Sequence, residues 1–235
     1  MSTIELNGVS STTVAGLLIQ TLPPISKPRV RTLVEEIDGR DGDTVTVLGY
    51  AAYDKTVKIG LKGSFDINDV IAFFASSGTV VFSNEDDKFY RYAIYDLIDF
   101  ERLIRFREGN VKFHVQPFKY AVSEMTPSVI TITSQTEIDI DNDGNVESKP
   151  IIGITGAGSV VLSLNGNQAL TLALDPDGET IMIDTESLEA TTGGLLANRK
   201  VTGGYENLWC AIGTNVLSWT GTVTEISVQY SSRWI

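Results

Sequence analysis

The residues best suited to chemistry are three aspartates at alternate positions, Asp139, Asp141 and Asp143, followed by a glycine. The pattern D-x-D-x-D-G opens calcium-binding loops of the EF-hand type, in which carboxylates ligate the ion. The twelfth position of such a loop requires a bidentate glutamate, but here it is Pro150, and no helical pattern flanks the segment. Glu147 offers a carboxylate for a looser loop. The pattern favours the alternative, an acidic hairpin turn at Asp143.

A second candidate is the carboxylate pair Asp184 and Glu186, because two carboxylates suffice to hydrolyse a glycosidic bond. The chain has 30 acidic residues, so two that are close in sequence are weak support for an active site. The glycine-rich segment 153–158 lacks the lysine and the following helix of a phosphate-binding loop.

Histidine and cysteine are nearly absent, since His114 and Cys210 are the only residues of their types. This composition argues against a histidine-based triad or metal centre, a cysteine-based zinc site and a disulfide framework. The sequence therefore predicts a protein that is not an enzyme, with no catalytic, cofactor-binding or metal-ligating residues and no cofactor.

Two tryptophans, Trp209 and Trp219, lie in alternating, strand-like segments. A tryptophan ring can stack on a sugar, and the alternative function that this suggests is a carbohydrate-binding β-sandwich module. Both rings equally fit the apolar face of a strand, where they would pack in a core. The second interpretation is favoured.

Composition changes across residues 113–128. All nine Phe lie before this segment ends, and all three Trp lie after it. Residues 1–125 hold 14 Lys/Arg and 17 Asp/Glu, a net charge of −3, and residues 126–235 hold 4 and 13, a net charge of −9; the sum is the −12 of the whole chain. The sequence therefore predicts two domains, residues 1–125 and residues 126–235.

The whole chain has the composition of a folded soluble protein, with 42% hydrophobic and 20% charged residues. It contains no apolar run of about 20 residues, so no membrane span is expected. Its first residues lack the basic start and apolar core of a signal peptide. The acidic balance disfavours sequence-independent binding of nucleic acid, which needs cations to neutralise phosphates.

In the first domain, alternating segments at 29–37 and 44–48 flank a glycine-rich turn and predict a β-hairpin. Its tip, Arg40 and Asp41, is either a binding tip or an ordinary charged turn, and the turn is favoured. Apolar spacing over residues 66–78 predicts one helix, with Asp66 as N-cap and Gly78 as its stop.

The segment 96–108 of the first domain mixes three arginines with apolar residues and four acids. We expect a solvated hairpin or a protein–protein contact there. The aromatic residues of segment 88–97 point to both faces of a strand, which must then be buried on both faces. A further strand is expected to stop at Pro117, because proline cannot donate to a ladder.

The second domain shows short alternating segments separated by turn signals, a pattern typical of a β-sandwich. The predicted strands are 128–133, 137–140, 151–155, 159–164, 169–174, 180–184, 208–212, 215–219 and 225–230. The predicted turns include those at Asn165-Gly166 and Asp177-Gly178.

The order and spacing of several stretches resemble the distal tail protein (Dit) family of long-tailed phages with non-contractile tails. In the first domain these are the prolines before Ile37-Asp38-Gly39-Arg40-Asp41-Gly42, the helix before Phe89-Tyr90-Arg91-Tyr92-Ala93, and Val115-Gln116-Pro117-Phe118-Lys119-Tyr120. In the second they are Asn142-Asp143-Gly144-Asn145 to Pro150, Ile152-Gly153-Ile154-Thr155-Gly156, Ile183-Asp184-Thr185-Glu186, Gly213-Thr214-Asn215-Val216-Leu217 and Arg233-Trp234.

The resemblance implies a virion protein of the phage tail tip, made in the host cytoplasm. Its mostly β N-terminal domain, with one packed helix, would form a hexameric ring, and its C-terminal domain would be a galectin-like β-sandwich. Such a baseplate hub would join the major tail tube protein to the tail-associated lysin or fibre protein, and its sides would hold receptor-binding proteins. DNA would only pass through its channel, and no membrane is involved.

Overall fold

The structure, a computed structural model that describes residues 2–235, consists of two compact units. The first unit ends at Val122 and the second spans Ser123–Trp234. Each unit buries its own cluster of apolar side chains. Both units are mostly β, which confirms the predicted fold class. None of the helices in residues 2–235 has the length and apolar character needed to span a membrane.

The first unit is built on one antiparallel sheet with a separate hairpin. Its strands are β1 (Ile4–Leu6), β2 (Val9–Ser10), β3 (Leu17–Thr21), β4 (Val30–Glu36), β5 (Asp43–Tyr50), β6 (Tyr53–Leu61), β7 (Ser77–Phe82), β8 (Glu85–Ala93) and β9 (Glu108–Ala121). The sheet has the order β2-β1-β7-β8-β9-β6-β3. Strands β4 and β5 form a two-stranded sheet of their own, so the predicted hairpin is confirmed.

Strand β9 contributes every second residue of one stretch to the core of the first unit. Its fully buried residues at alternate positions are Val111, Phe113 and Val115. The prediction that it stops at Pro117 is wrong, because the strand continues to Ala121. The register between β8 and β9 shifts between Tyr90 and Tyr92, so Pro117 falls in an irregular stretch. Its missing N–H is not required at such a bulge.

The predicted helix exists but is shorter than expected. Helix α1 spans Ile67–Phe73, and the carboxylate of its N-cap, Asp66, accepts a hydrogen bond from the Asn68 amide at 2.8 Å. The predicted stop at Gly78 is wrong, because this glycine lies inside β7. The side chains that α1 and its C-cap bury are Val70, Phe73 and Phe74.

A second helix, α2 (Phe100–Phe106), replaces the hairpin expected over residues 96–108. Asp99 caps its N-terminus by accepting a hydrogen bond from the Arg102 amide at 2.8 Å. Arg107 ends the helix in the left-handed conformation, and Leu103 is its fully buried anchor. Sequence analysis missed the helix because a single apolar anchor among charged residues gives little periodicity.

The second unit is a sheet of unequal strands. They are β10 (Ser128–Thr131), β11 (Glu137–Asn142), β12 (Ile151–Leu164), β13 (Asn167–Asp184), β14 (Glu189–Thr192), β15 (Leu195–Leu196), β16 (Val201–Gly203) and β17 (Gly213–Gln229), and the short strand β18 (Arg233–Trp234) lies outside this sheet. The order is β10-β17-β12-β13-β14-β15, with β11 also paired to β17 and β16 to β13.

Three long strands each combine two of the predicted short strands: β12, β13 and β17. The register between β12 and β13 shifts after Gly156, and residues 175–178 have no partner in β12. The predicted turn at Asp177-Gly178 is therefore a bulge within β13. Both halves of the long strands supply buried residues to one core.

The predicted turn at Asn165-Gly166 is confirmed. Asn165 and Gly166 have φ values of 52° and 80° and connect β12 to β13. Two successive positive φ values match the right-handed twist of a hairpin and favour Asn followed by Gly.

Candidate interaction surfaces

The hairpin of β4 and β5, here called the arm (residues 30–50), is exposed on both faces. Its exposed apolar residues are Leu33 (46%), Val34 (51%), Ile37 (50%), Val45 (57%), Val47 (66%) and Leu48 (54%). An isolated two-stranded hairpin is at best marginally stable in water. Contiguous exposed apolar side chains commonly mark a protein-binding surface. The arm is therefore the leading candidate for an intermolecular contact.

Side chains of the first unit fix the root of the arm. The residues before β4 present backbone carbonyls as acceptors: Asn84 donates to that of Pro23 at 3.0 Å, and Lys55 to that of Pro24 at 2.9 Å. The Tyr53 hydroxyl donates to the carbonyl of Ser26 at 3.3 Å. The arm is thus attached to the unit by hydrogen bonds on its approach and, at its base, by the Tyr50 ring, whose centre lies 5.7 Å from that of Phe118.

A buried charge cluster lies beside this attachment. The Lys119 ammonium is 2.8 Å from one oxygen of Glu85, and the Tyr90 hydroxyl donates to the other at 2.7 Å. Lys55 is only 3% exposed, and its ammonium lies 4.8 Å from the centre of the Tyr90 ring.

The charge of Glu85 is the centre of this cluster. Burial acts to raise the pKa of Glu85, but the hydrogen bonds from Lys119 and Tyr90 outweigh it and hold the pKa below its ordinary value. Burial lowers the pKa of Lys55, and the nearby Glu85 carboxylate opposes that shift. Glu85 is therefore the anion that makes two buried lysines tolerable.

A second exposed surface, here called the α2 shoulder (residues 97–106), lies at the end of β6. Leu97 is 93% exposed and Phe106 is 62% exposed. Arg102 lines two concavities of about 460 and 450 Å³ that flank α2, and Arg105 lines the first of them. The predicted interpretation of this segment as a protein–protein contact fits these exposed apolar and cationic side chains.

In the second unit, the loop 142–147 encloses residues 232–233, an arrangement here called the clasp. The Asn145 amide donates to the Arg233 carbonyl at 3.1 Å, and the Arg233 guanidinium donates to the Glu147 carbonyl at 2.7 Å. The Asp143 amide donates to the Ser232 hydroxyl at 3.2 Å. The loop therefore connects to the distant Arg233 rather than closing a hairpin.

Glycine is required inside the clasp. A Cβ atom on Gly144 would lie 1.9 Å from the Arg233 carbonyl oxygen. The Gly144 amide donates to the Asn142 side chain at 3.0 Å, and the same side chain donates to the Val146 carbonyl at 2.9 Å. The predicted acidic hairpin turn at Asp143 is thus wrong, since this loop joins β11 to residues distant in sequence.

The aspartates of the calcium-like pattern do not share a loop. Asp139 and Asp141 lie on β11 and are exposed, while Ile140 and Asn142 alternate with them and are buried. Within residues 2–235, no three His, Cys, Asp or Glu side chains are grouped so that they could hold a metal ion. The alternation of these aspartates is that of a half-buried strand.

The other residues that the sequence offered as candidates for catalysis or sugar binding make contacts that stabilise the fold. Asp184 accepts hydrogen bonds from the amides of Glu186 at 2.9 Å and Ser187 at 3.1 Å, and so stabilises the turn after β13. Trp219 is 5% exposed and belongs to the core. Trp209 donates from its indole nitrogen to the Thr185 carbonyl at 3.0 Å. The Lys149 ammonium lies 4.0 Å from the centre of the Trp209 ring.

Cys210 is fully buried, and burial raises the pKa of its thiol to about 12. Because only the thiolate is strongly nucleophilic, we expect iodoacetamide at pH 8 to leave Cys210 unmodified in the folded chain. Alkylation should begin only when urea unfolds the second unit, and mass spectrometry of the intact protein measures it. Rapid alkylation without urea would contradict this prediction.

The comparisons with known proteins concern the fold. No protein-family model and no curated protein matches the chain. Among solved structures, it is similar to the SPP1 Dit (gp 19.1) protein, described as a paradigm of the hub adsorption apparatus in phages that infect Gram-positive bacteria. The TM-score is 0.65 at 16% identity, and the match covers 100% of both chains.

Two further structures are similar, and both are of the phage P2 baseplate in its activated conformation. The structure with Ca gives a TM-score of 0.56 at 10% identity over 100% of this chain and 98% of that chain. The structure with Sr gives 0.53 at 11% identity over 97% and 96%.

The structural similarity confirms the resemblance that the ordered sequence stretches suggest. Three stretches that were separate in the sequence meet at the clasp: the loop 142–147, Arg233, and Glu186, whose carboxylate lies 3.7 Å from the Arg233 guanidinium. These residues shape the fold of the second unit rather than a reaction centre. The chain has the fold of a phage distal tail protein over its whole length.

Proposed function

We propose that this protein is a structural component of the phage tail tip, in which its first unit forms the hexameric ring of a baseplate hub. The ring would join the tail tube protein to the tail-associated lysin or fibre protein, and would hold receptor-binding proteins at its side. The galectin-like second unit would lie outside the ring. The observation that carries the proposal is the similarity to SPP1 Dit over the full length of both chains.

A fold alone does not define a function, so the proposal needs support from a particular surface. The arm is such a surface. A ring requires a contact in which one surface of each copy meets a different surface of the next. The arm offers a large apolar surface with free strand edges for such a contact. DNA would only pass through the channel, and residues 1–125, which would form the ring around it, carry a net charge of −3.

A catalytic role is not part of the proposal. The candidate carboxylates Asp184 and Glu186 are occupied by a turn and by an ion pair with Arg233. The solved structures that resemble the chain are a hub adsorption protein and phage baseplates.

Native mass spectrometry of the full chain across a concentration series tests the ring. We expect hexamers, and we expect the double substitution Val45→Ser and Val47→Ser to weaken their formation at least tenfold. Both side chains are more than half exposed, so the substitutions should leave the stability of the monomer within about 0.5 kcal/mol.

The second unit supplies a matched control. Leu195 and Leu196 are 74% and 70% exposed, and replacing both by serine removes a similar apolar area outside the arm. This control should assemble like the unmodified chain. A monomer at every concentration would overturn the proposed ring, and equal assembly by the arm variant would exclude the arm as its contact.

A further inference from the structure

The tip of the arm is strongly acidic. Residues 35–43 contain five acids, Glu35, Glu36, Asp38, Asp41 and Asp43, and one base, Arg40, which gives a net charge of −4. Glu35, Glu36 and their acidic neighbours are exposed beside the apolar residues of the arm. A surface that binds this tip must therefore combine apolar side chains with cations.

The α2 shoulder has this combination. Its carboxylate neighbours are occupied: Asp96 pairs with Lys112 at 2.6 Å, and Glu108 pairs with Lys58 at 2.8 Å. Asp99 caps the helix. The guanidinium of Arg105 is 3.7 Å from Glu101, and both side chains are at least 70% exposed, so this pair is weak and separable.

Arg102 and Arg105 lie next to exposed apolar groups. Both arginines line a concavity together with Phe106, and Arg102 lines another together with Leu97. The shoulder thus presents two guanidinium groups near exposed apolar side chains, a combination that complements the acidic, apolar arm.

The arm and the shoulder lie at opposite ends of strand β6. The arm leads through residues 51–52 into Tyr53, the first residue of β6. At the other end, Gly60 pairs with Glu108, and the Leu61 amide donates to the carbonyl of Arg107 at 3.3 Å, directly after α2. A strand of nine residues is about 26 Å from its first to its last Cα. One copy therefore presents its two complementary surfaces at opposite ends.

We propose that the acidic arm of one copy docks on the α2 shoulder of a second copy, where Arg102 and Arg105 receive its carboxylates. The contact is heterologous, since the arm and the shoulder are different surfaces, and repetition of such a contact closes a ring when the rotation permits. This inference rests on the self-association in the proposed function and identifies the surface that the arm contacts.

Charge reversal tests the pairing. The arm variant carries Glu35→Arg and Glu36→Arg, and the shoulder variant carries Arg102→Glu and Arg105→Glu. All four residues are exposed, so both variants should fold, which near-ultraviolet circular dichroism verifies. Each variant alone places like charges at the contact, and we expect its assembly to weaken at least tenfold.

An equimolar mixture of the two variants gives the decisive result. The reversed arm of one variant then meets the reversed shoulder of the other, while the native arm meets the native shoulder. We expect assembly to recover in the mixture, with equal numbers of each variant in every ring by native mass spectrometry. The substitutions Glu137→Arg and Asp139→Arg on the exposed face of β11 are the matched control and should assemble normally.

The outcomes separate this inference from the proposed function. If the unmodified chain assembles but the mixture does not recover, or if either variant alone assembles normally, the arm–shoulder contact is wrong and the ring proposal stands. If the unmodified chain is monomeric throughout the concentration series, both are overturned.

Discussion

Replacing Gly144 by alanine is expected to destabilise the second unit by about 3 kcal/mol, the upper part of the range for forced overpacking. The new methyl group would occupy the position of the Arg233 carbonyl oxygen, only 1.9 Å away. This neighbour is backbone, so it cannot rotate aside as a flexible side chain can. The clasp must open, and its hydrogen bonds, worth about 1 kcal/mol each, are then lost.

Tryptophan fluorescence during urea unfolding measures this effect in the second unit alone. Trp209, Trp219 and Trp234 are the only tryptophans, and all lie in that unit. Glu147→Ala is a suitable control in the same loop, because its side chain is exposed and its contact with Arg233 is made by the backbone carbonyl. An unchanged urea midpoint for the Gly144 variant would show that the loop tolerates the methyl group.

Replacing Glu85 by glutamine is expected to destabilise the first unit by about 3–5 kcal/mol, as is typical when one member of a buried ion pair is removed. The amide keeps the shape of the side chain but leaves Lys119 and Lys55 without the anion between them. Hydrogen exchange of peptides from β8 and β9 in urea measures the stability of this unit. Asp87→Asn is the control, because the Asp87 side chain that pairs with Lys88 is 69% exposed, and its loss should cost less than about 1 kcal/mol.

The difference in the free energy of unfolding between the unmodified chain and Glu85→Gln should depend on pH, and this dependence identifies the charge of Glu85 as the cause. The pKa of Glu85 is lower in the folded chain than its ordinary value of 4.5. The stabilisation is therefore fully present above pH 4.5 and is lost as the pH falls below this value through the lowered pKa. If the difference in the free energy of unfolding instead stays constant as the pH falls below 4.5, the effect of the substitution comes from altered packing and not from the lost charge.

Local patterns in the sequence were sufficient to predict the elements that are determined by residues close together in the chain. The arm follows from alternation around Gly39 and Gly42, which have φ values of 82° and 81°. Helix α1 follows from the Asp66 cap, although its end does not. In the sequence, Gly78 resembles a helix stop. In the structure it lies in β7, where the Asn7 side chain approaches so closely that a Cβ atom would clash with it.

The features that sequence analysis missed depend on contacts between distant residues. Glu85 and Lys119 are 34 positions apart, and nothing in the sequence near either residue indicates that they form a buried pair. Pro117 continues a strand because it lies in a bulge of β9, where residues 116–118 face the single residue Arg91 of β8. The residues of the clasp were visible in the sequence, but Asn142 and Arg233 are 91 positions apart and nothing local indicates that they meet.

The clasp also sets an order of events during synthesis. The loop 142–147 leaves the ribosome about ninety residues before its partner Arg233, which corresponds to roughly 5–20 s at about 5–20 residues per second. Strands β1 to β9 have all been synthesised once β9 has emerged, long before the clasp can close. Newly made chains therefore pass through a period in which the arm is already displayed and the second unit still lacks its final contacts.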